Sequence, residues 1–260
     1  MIGEQKQKIT LEILGEWIKV YIFARKKDMM KRHIVFLTGA GVSVESGLST
    51  FRGKDGLWTN EEWAYLASKE ALQNDTQQSL DFYNFRRKQL AEVEPNEAHL
   101  MIAALEKDYD VTVITQNVDN LHERAGSSHV VHLHGELSKV CSMKDRTACV
   151  KNYPLTIPIL VGDKADDGSQ LRPYIVMFGE YVDSMDVAID YVCGADIFVV
   201  VGTSLMVYPA AGLTRYVPRN VPKFVIDPGE QDICKQLGFT HFKTTATDGM
   251  KLLLRTLGLL

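Results

Sequence analysis

Cysteine is scarce in this sequence: four residues (Cys141, Cys149, Cys193 and Cys234) are dispersed over 260. Disulfide-stapled domains are shorter and denser in cysteine, so a reducing compartment and a core that needs no staples are expected. Long apolar runs are also missing. The most apolar stretch near the start, residues 20–24, sits between Lys19 and Arg25 and falls far short of the ~20 residues that span a bilayer. No Lys/Arg-led apolar segment with a small-residue cleavage site opens the chain, so a cytoplasmic protein without a membrane partner is expected. Nor is there an excess of positive charge. The 29 Lys and Arg against 33 Asp and Glu give a formal charge of −4, which argues against a nucleic-acid partner. No internal repeat is visible.

What is present is an ordinary globular composition, 45% apolar and 24% charged, enough for one large domain with an inserted module or for two small domains. Leu14, Trp17, Ile18, Tyr21 and Ile22 recur at helical spacing and predict an amphipathic helix over residues 10–30, packed on the chain's own core or offered to a partner. Short β-branched runs at 34–38, 111–115, 130–134, 175–178, 197–201 and 224–226 suit strands of a parallel sheet buried on both faces. Between them the spacing predicts helices over 96–107, 185–193 and 247–257. This alternation predicts an α/β fold, a doubly wound parallel sheet. Residues 58–90, polar and helical in pattern, and 138–173, irregular with Pro154, Pro158 and Pro173, read as two insertions forming a smaller domain. The division is therefore a helical extension over 1–31, a nucleotide-binding domain over 32–57, 91–137 and 174–260, and a small domain over 58–90 and 138–173.

Gly39-Ala40-Gly41, directly after the first strand, permits a tight turn and close approach of backbone to a pyrophosphate. A glycine-rich strand-to-helix turn also serves plain packing, and the third glycine, Gly47, arrives too late for a dehydrogenase fingerprint. Phe51 and Arg52 follow the loop, with the arginine able to pair with phosphate; a surface loop with one paired arginine is the plain alternative. Gln116, Asn117 and Asp119 follow the strand 111–115, where polar side chains face a ligand crevice; capping of a helix explains Asn117 or Asp119 equally well. His132 and His134 share a face if the strand runs through both. Two histidines so spaced can ligate a metal, but no third ligand stands at a diagnostic distance. A histidine at a strand end suits proton transfer near neutral pH.

Six ordered segments, GAGVSVESG, STFRGKDGLW, TQNVDNLHERAG, HLHGE, VMFGE and GTSLMVYPA, together resemble the sirtuin family of NAD-dependent protein-lysine deacylases over residues 34–257. The resemblance implies a Rossmann-like large domain with a small domain built from two insertions. It places Gly39, Ala40, Gly41, Ser43 and Ser46 in a phosphate-binding loop, and Phe51 and Arg52 in a flexible cofactor loop. Gln116, Asn117 and Asp119 match residues around the nicotinamide and its ribose. Gly202, Thr203 and Ser204 match a second supporting loop, and Asp227 stands where many relatives carry asparagine, facing the adenosine ribose. His134 matches the catalytic base. The segments with Val176, Phe178, Gly179 and Glu180 on one side and Val207 on the other match those that hold a substrate peptide as an added β-strand.

Two further readings depend on the resemblance. Tyr83 and Arg86, three apart on one helix face, match a pair that receives a negatively charged acyl group in some sirtuins, which implies succinyl- or malonyl-lysine beside acetyl-lysine; a core tyrosine with a solvated arginine is the plain alternative. Sirtuins usually carry two CxxC pairs that hold zinc. Here only Cys141 and Cys149 fall in the corresponding region, so no zinc is expected, and the apolar stretch 153–161 is expected to supply replacement packing. Against the deacylase stand an ADP-ribosyltransferase, which cleaves the same cofactor, a non-catalytic NAD-binding module and, least well supported, a dehydrogenase.

Overall fold

A computed structural model describes residues 31–50 and 61–260. The expected helix over 10–30 and the expected cofactor-loop residues Phe51 and Arg52 lie outside the described residues.

The strands, in chain order, are β1 (His33–Thr38), β2 (Asp110–Thr115), β3 (Val130–His132), β4 (Gly135–Ser142), β5 (Lys151–Asn152), β6 (Leu171–Ile175), β7 (Ile197–Val201), β8 (Lys223–Ile226) and β9 (Thr240–Phe242). Six of them form a parallel sheet in the order β3-β2-β1-β7-β8-β9. The fold is α/β and Rossmann-like. The strands are apolar on both sides because both faces are covered. Val35, Leu37, Phe198 and Val200 enter one core with Ala188 and Val192 of the helix Met185–Cys193. Ile34, Phe36, Ile197 and Val199 enter another with Ala98 and Ile102 of the helix Glu97–Ala104, and with Met250 and Leu253 of the helix Ala246–Thr256. Asn96 starts the second of these helices, its side chain accepting from the N–H groups of Ala98 and His99, as an N-cap does.

The remaining strands form an antiparallel sheet, β5-β4-β6, beside three helices, Glu61–Leu66, Lys69–Asn74 and Thr76–Ala91. Two expectations need correction here. The run at 175–178 is not a strand of the parallel sheet; the strand ends at Ile175 and pairs antiparallel with β4. Pro173, which lacks a donor, is tolerated because β6 is an edge strand and a register shift interrupts the pairing nearby. The stretch 138–173 is likewise less irregular than its prolines suggest, since β4 extends into it and β5 lies within it.

The apolar stretch 153–161 packs less than expected. Ile159 is buried, but Ile157, Leu160 and Val161 are exposed. Polar side chains of the helix Thr76–Ala91 hold the segment instead. Asn84 exchanges two hydrogen bonds with the backbone of Ile159 (2.8 and 2.9 Å). The buried Arg87 guanidinium donates to the carbonyls of Leu137, Pro154 (2.6 Å) and Ile157 (3.2 Å) and lies 5.3 Å over the Tyr153 ring. Among the described residues no helix is long and apolar enough to cross a membrane.

Candidate active site

The strand register brings His132, Thr115, Thr38, Val201 and Ile226 abreast at one edge of the parallel sheet. The loops beyond them line a cleft of about 710 Å³, within the roughly 300–1,000 Å³ of small-molecule sites. From β3 to β8 there are four strand spacings, about 19 Å at ~4.8 Å each, room for an extended dinucleotide.

The centre of this edge is a backbone crossing. Gly39 N–H donates to Val201 O (3.0 Å) and Gly41 N–H to Gly202 O (2.8 Å). A Cβ on Gly39 would meet Gly202 O at 2.8 Å, one on Gly41 would meet Gly202 Cα at 2.6 Å, and one on Gly202 would lie 2.3 Å from Val42 N. Gly202 also has φ +63°, a left-handed conformation that favours glycine. The glycines read as a cradle for pyrophosphate are thus first required by each other, across two loops. After the crossing the chain turns through a 3-10 segment, Ala40–Ser46.

Polar groups at the ends of β1, β2 and β7 are tied to this crossing. Asn117 Nδ2 donates to Gly39 O (3.2 Å) and Ser43 Oγ (3.1 Å), while its buried Oδ1 has no partner in the protein. Ser43 Oγ donates in turn to Asp119 Oδ2 (3.0 Å), whose Oδ1 accepts from Leu121 N–H (3.2 Å). Burial pushes the Asp119 carboxyl up, and those two hydrogen bonds oppose it. Gln116 Nε2 donates to Thr203 Oγ1 (3.0 Å). Gly39, Ala40, Gly41, Gln116, Asn117, Gly202, Thr203, Ser204 and Asp227 all line the cleft, whereas Ser43 and Asp119 line a small recess beside Arg86. Ser46 is turned to Asn96 Nδ2 (3.0 Å) instead and is absent from both walls.

Strand β3 stops at His132, so the expected alternation does not reach His134. Each ring is fixed by one of two consecutive carbonyls: His132 Nδ1 lies 3.0 Å from Asn117 O and His134 Nδ1 lies 2.8 Å from Gln116 O. A carbonyl only accepts, so Nδ1 carries the proton in both. His132 Nε2 then meets Glu123 (2.7 Å); burial pulls its pKa down, but Glu123, Glu136 and the bond to Asn117 O together leave it raised. His134 lines the cleft. Burial lowers its pKa against the opposing bond to Gln116, which keeps Nε2 a neutral base at physiological pH.

Part of the cleft wall is built from the helical insertion. Phe82, Tyr83 and Arg86 line it, with Val176, Phe178 and Gly179 of the segment after β6. Burial pushes the Tyr83 phenol well up, so it stays a donor, and pushes the Arg86 guanidinium down, opposed by the Asp119 charge. Phe178 pairs its N–H with Ala67 O (3.0 Å) and its carbonyl with Lys69 N–H (2.9 Å), yet its side chain stays exposed. Glu180 is held by Arg172 in a bidentate pair (2.6 and 2.9 Å); burial pushes its pKa up, but Arg172, the Met177 N–H and Arg146 together leave it lowered. Val207, opposite in the sequence pattern, also lines the cleft, and its carbonyl accepts from Ala211 N–H (2.8 Å).

Sequence reasoning missed the far end, where Glu45, Pro228, Thr245 and Ala246 complete the wall. Glu45 accepts from Thr247 N–H (2.9 Å) and Thr245 Oγ1 (3.3 Å) at the start of the helix Ala246–Thr256. Thr245 before an amphipathic run is a readable cap signal; its meeting with a glutamate two hundred residues earlier has no local signature.

Comparison with known proteins places this architecture. A profile described as the Sir2 family matches residues 39–209. An NAD-dependent protein deacylase of Bacteroides thetaiotaomicron is 52% identical over 223 residues, covering 85% of this chain and 95% of that protein. One of Helicobacter pylori is 49% identical over 197 residues, covering 76% and 85%. Among solved structures, a Sir2 homologue in complex with NAD superposes with a TM-score of 0.76 at 38% identity, covering 88% of this chain and 90% of that one. A Sir2–p53 peptide–NAD+ complex does so at 0.70 and 28%, covering 88% and 95%.

Proposed function

The chain belongs to the Sir2 family, and we propose from that premise that it is an NAD-dependent protein-lysine deacylase acting at this cleft. The observation that carries the reading is His134, whose protonated Nδ1 is bound to Gln116 O and whose other nitrogen is a neutral base in a cleft with the crossed glycine loops. Asn117 Oδ1, buried without a protein partner, fits a donor from the ligand. NAD supplies an electrophilic ribose carbon and nicotinamide as leaving group, the acyl-lysine oxygen being the nucleophile. His134 takes the proton of a ribose hydroxyl, which attacks the acyl carbon; with one water consumed, the products are free lysine, nicotinamide and O-acyl-ADP-ribose. Asn117 and Asp119 orient the ribose side, Gly39–Gly41 and Gly202–Ser204 the phosphates, and Asp227 the far ribose. We read the helices over 61–91 and the antiparallel sheet β5-β4-β6, which runs from Gly135 to Ile175, as the smaller domain, and the scattered cysteines support a cytoplasmic setting.

Tyr83 and Arg86 supply a neutral phenol donor and a cation on the wall of the cleft that His134 also lines, which fits an acyl group ending in carboxylate. Succinyl- and malonyl-lysine are accordingly read as substrates beside acetyl-lysine. The segments around Phe178 and Val207 flank the cleft and are read as the edges between which the substrate backbone is added as a strand.

The family's zinc module does not fit these residues, and we read it as metal-free. Cys141 is fully buried, its thiol donates toward Pro173 O (3.7 Å), and burial pushes its pKa up to about 11, against the thiolate a zinc ligand must be. Among the described residues the only group of three or more potential ligands near enough to share an ion is Glu123, His132 and Glu136, which includes neither Cys141 nor Cys149. Metal analysis of purified protein tests this; one zinc per chain overturns it. Nicotinamide release from NAD with succinylated, malonylated and acetylated peptides tests the activity. Turnover is expected with all three, and none by folded protein overturns the deacylase. Arg86→Met should cost succinyl turnover roughly tenfold or more beyond acetyl turnover, the scale of one charge-assisted hydrogen bond; equal losses overturn the carboxylate role.

A further inference from the structure

Two histidines play no part in that chemistry. His99 and His122 are buried, with ring centroids 4.8 Å apart in an edge-to-face arrangement. Their neighbours fix their tautomers. His99 Nδ1 accepts the N–H of Asn96 (3.4 Å), so its proton sits on Nε2. The Thr38 hydroxyl donates to Thr115 Oγ1 (2.9 Å) and is left an acceptor toward His122 Nε2 (3.0 Å), so the His122 proton also sits on Nε2. The two nitrogens left over, His99 Nε2 and His122 Nδ1, have no hydrogen-bond partner, and they are complementary: one is a donor, the other an acceptor. Burial holds both rings neutral, pushing His99 down to about 4 and His122 well below its ordinary value.

One end of this group of residues reaches the turn that follows the cleft-lining glycines, and the other reaches Asn117 on the cleft wall. At one end Asn96 does two things with one side chain. Its Oδ1 accepts from Ala98 N–H (3.0 Å) and His99 N–H (3.4 Å) to cap the helix, while Nδ2 donates to Val42 O (2.8 Å) and Ser46 Oγ (3.0 Å) in the turn after the glycines. At the other end Thr115 Oγ1 accepts the N–H of Asn117 (3.0 Å). We propose that Asn96, His99 and His122 are positioning residues that hold the Ala40–Ser46 turn and Asn117 in one register for the nucleotide. Two short hydrogen-bonded runs, one from the Asn96 backbone to His99 and one from His122 through Thr38 to Thr115, meet where the two rings pack edge to face. This rests on the NAD reading of the cleft.

Asn96→Asp separates the two duties, because a carboxylate still caps the helix but cannot donate to Val42 or Ser46. Its expected effect is a rise of about tenfold in KM for NAD and in Kd for ADP-ribose by calorimetry, with kcat within about threefold, the scale of one or two lost hydrogen bonds. His122→Phe keeps a ring but removes the donor to Thr38, so kcat should fall; His122→Gln, which retains an N–H, should recover part of the loss. A purely structural role would lower the melting temperature without splitting KM from kcat. Wild-type KM and Kd in Asn96→Asp overturn the proposal, as does a His122→Gln enzyme no better than His122→Phe. If the wild-type chain itself binds neither NAD nor ADP-ribose, the NAD reading fails and takes this one with it.

Discussion

The parallel sheet with its loops and the small antiparallel module are held in opposite ways. In the first, backbone meets backbone: Gly39 and Gly41 cross Gly202 at distances that leave no room for a methyl group, above strands whose apolar side chains are wholly buried. In the second, side chains reach for backbone. Asn84 and Arg87 grip the segment 154–159, and at the far end of β4 side chain meets side chain, the Ser142 hydroxyl contacting Asp167 (2.6 Å) and Ser169 (2.8 Å). A site that must place a nucleotide is built on the stiffer principle, and the module beside it on one that depends on a few polar groups.

The sharpest way to break this contrast is Gly202→Ala. A Cβ would sit 2.3 Å from Val42 N at φ +63°, so we expect a loss of about 4 kcal/mol or more from overpacking and backbone strain, with ADP-ribose binding abolished. A variant that melts near wild type would show the crossing to be yielding.

Acid should act next, and on one region only. His99 sits at about 4 when folded against an ordinary 6.5, so the unfolded chain binds the extra proton between those values. Its contribution to stability is intact above pH ~6.5, falls as the pH drops and is lost by pH ~4, roughly 3 kcal/mol in all. Hydrogen bonds from Ser142 and Ser169 hold Asp167 down to about 2, so its contribution persists through that window and fades only below it. Hydrogen exchange at pH 5 against pH 7 should therefore show the helix Glu97–Ala104 losing protection before β4. Simultaneous loss would erase the distinction.

Arg87→Met is expected to have the smallest effect, about 2 kcal/mol: it strips the buried Leu137 carbonyl of its donor, while the Pro154 and Ile157 carbonyls lie on exposed residues that water can reach. Exchange should rise across 151–161 while nucleotide affinity stays within about threefold of wild type. A parallel fall in affinity would mean that the two regions are mechanically one.

The same contrast explains what could be read in advance. Runs such as Ile34–Leu37 and Ile197–Val201 declare buried parallel strands by themselves, and Asn96 marks its helix start by residue type. The places of His134 and Asn117 on the cleft followed from motif order, and those of Tyr83 and Arg86 from the family resemblance alone. The reason for the glycines did not, because their partner lies some 160 residues away and spacing shows only local need. Arg87 was opaque for another reason: beside Arg86 in a polar helix it reads as a solvated face, and only the fold shows that one arginine faces the cleft while its neighbour ties down a loop. The strand at 171–175 was misplaced by a few residues because its apolar continuation looked like the strand itself.

The glycine crossing also bears on inheritance and on engineering. Two loops far apart in the gene are one fitted part, so a recombination point anywhere between codons 42 and 202 separates the halves of a matched pair. Chimaeras between relatives should survive only when both parents carry glycine on both sides. A change of acyl preference is better sought in the helical wall of Phe82, Tyr83 and Arg86, whose side chains are not part of the crossing itself.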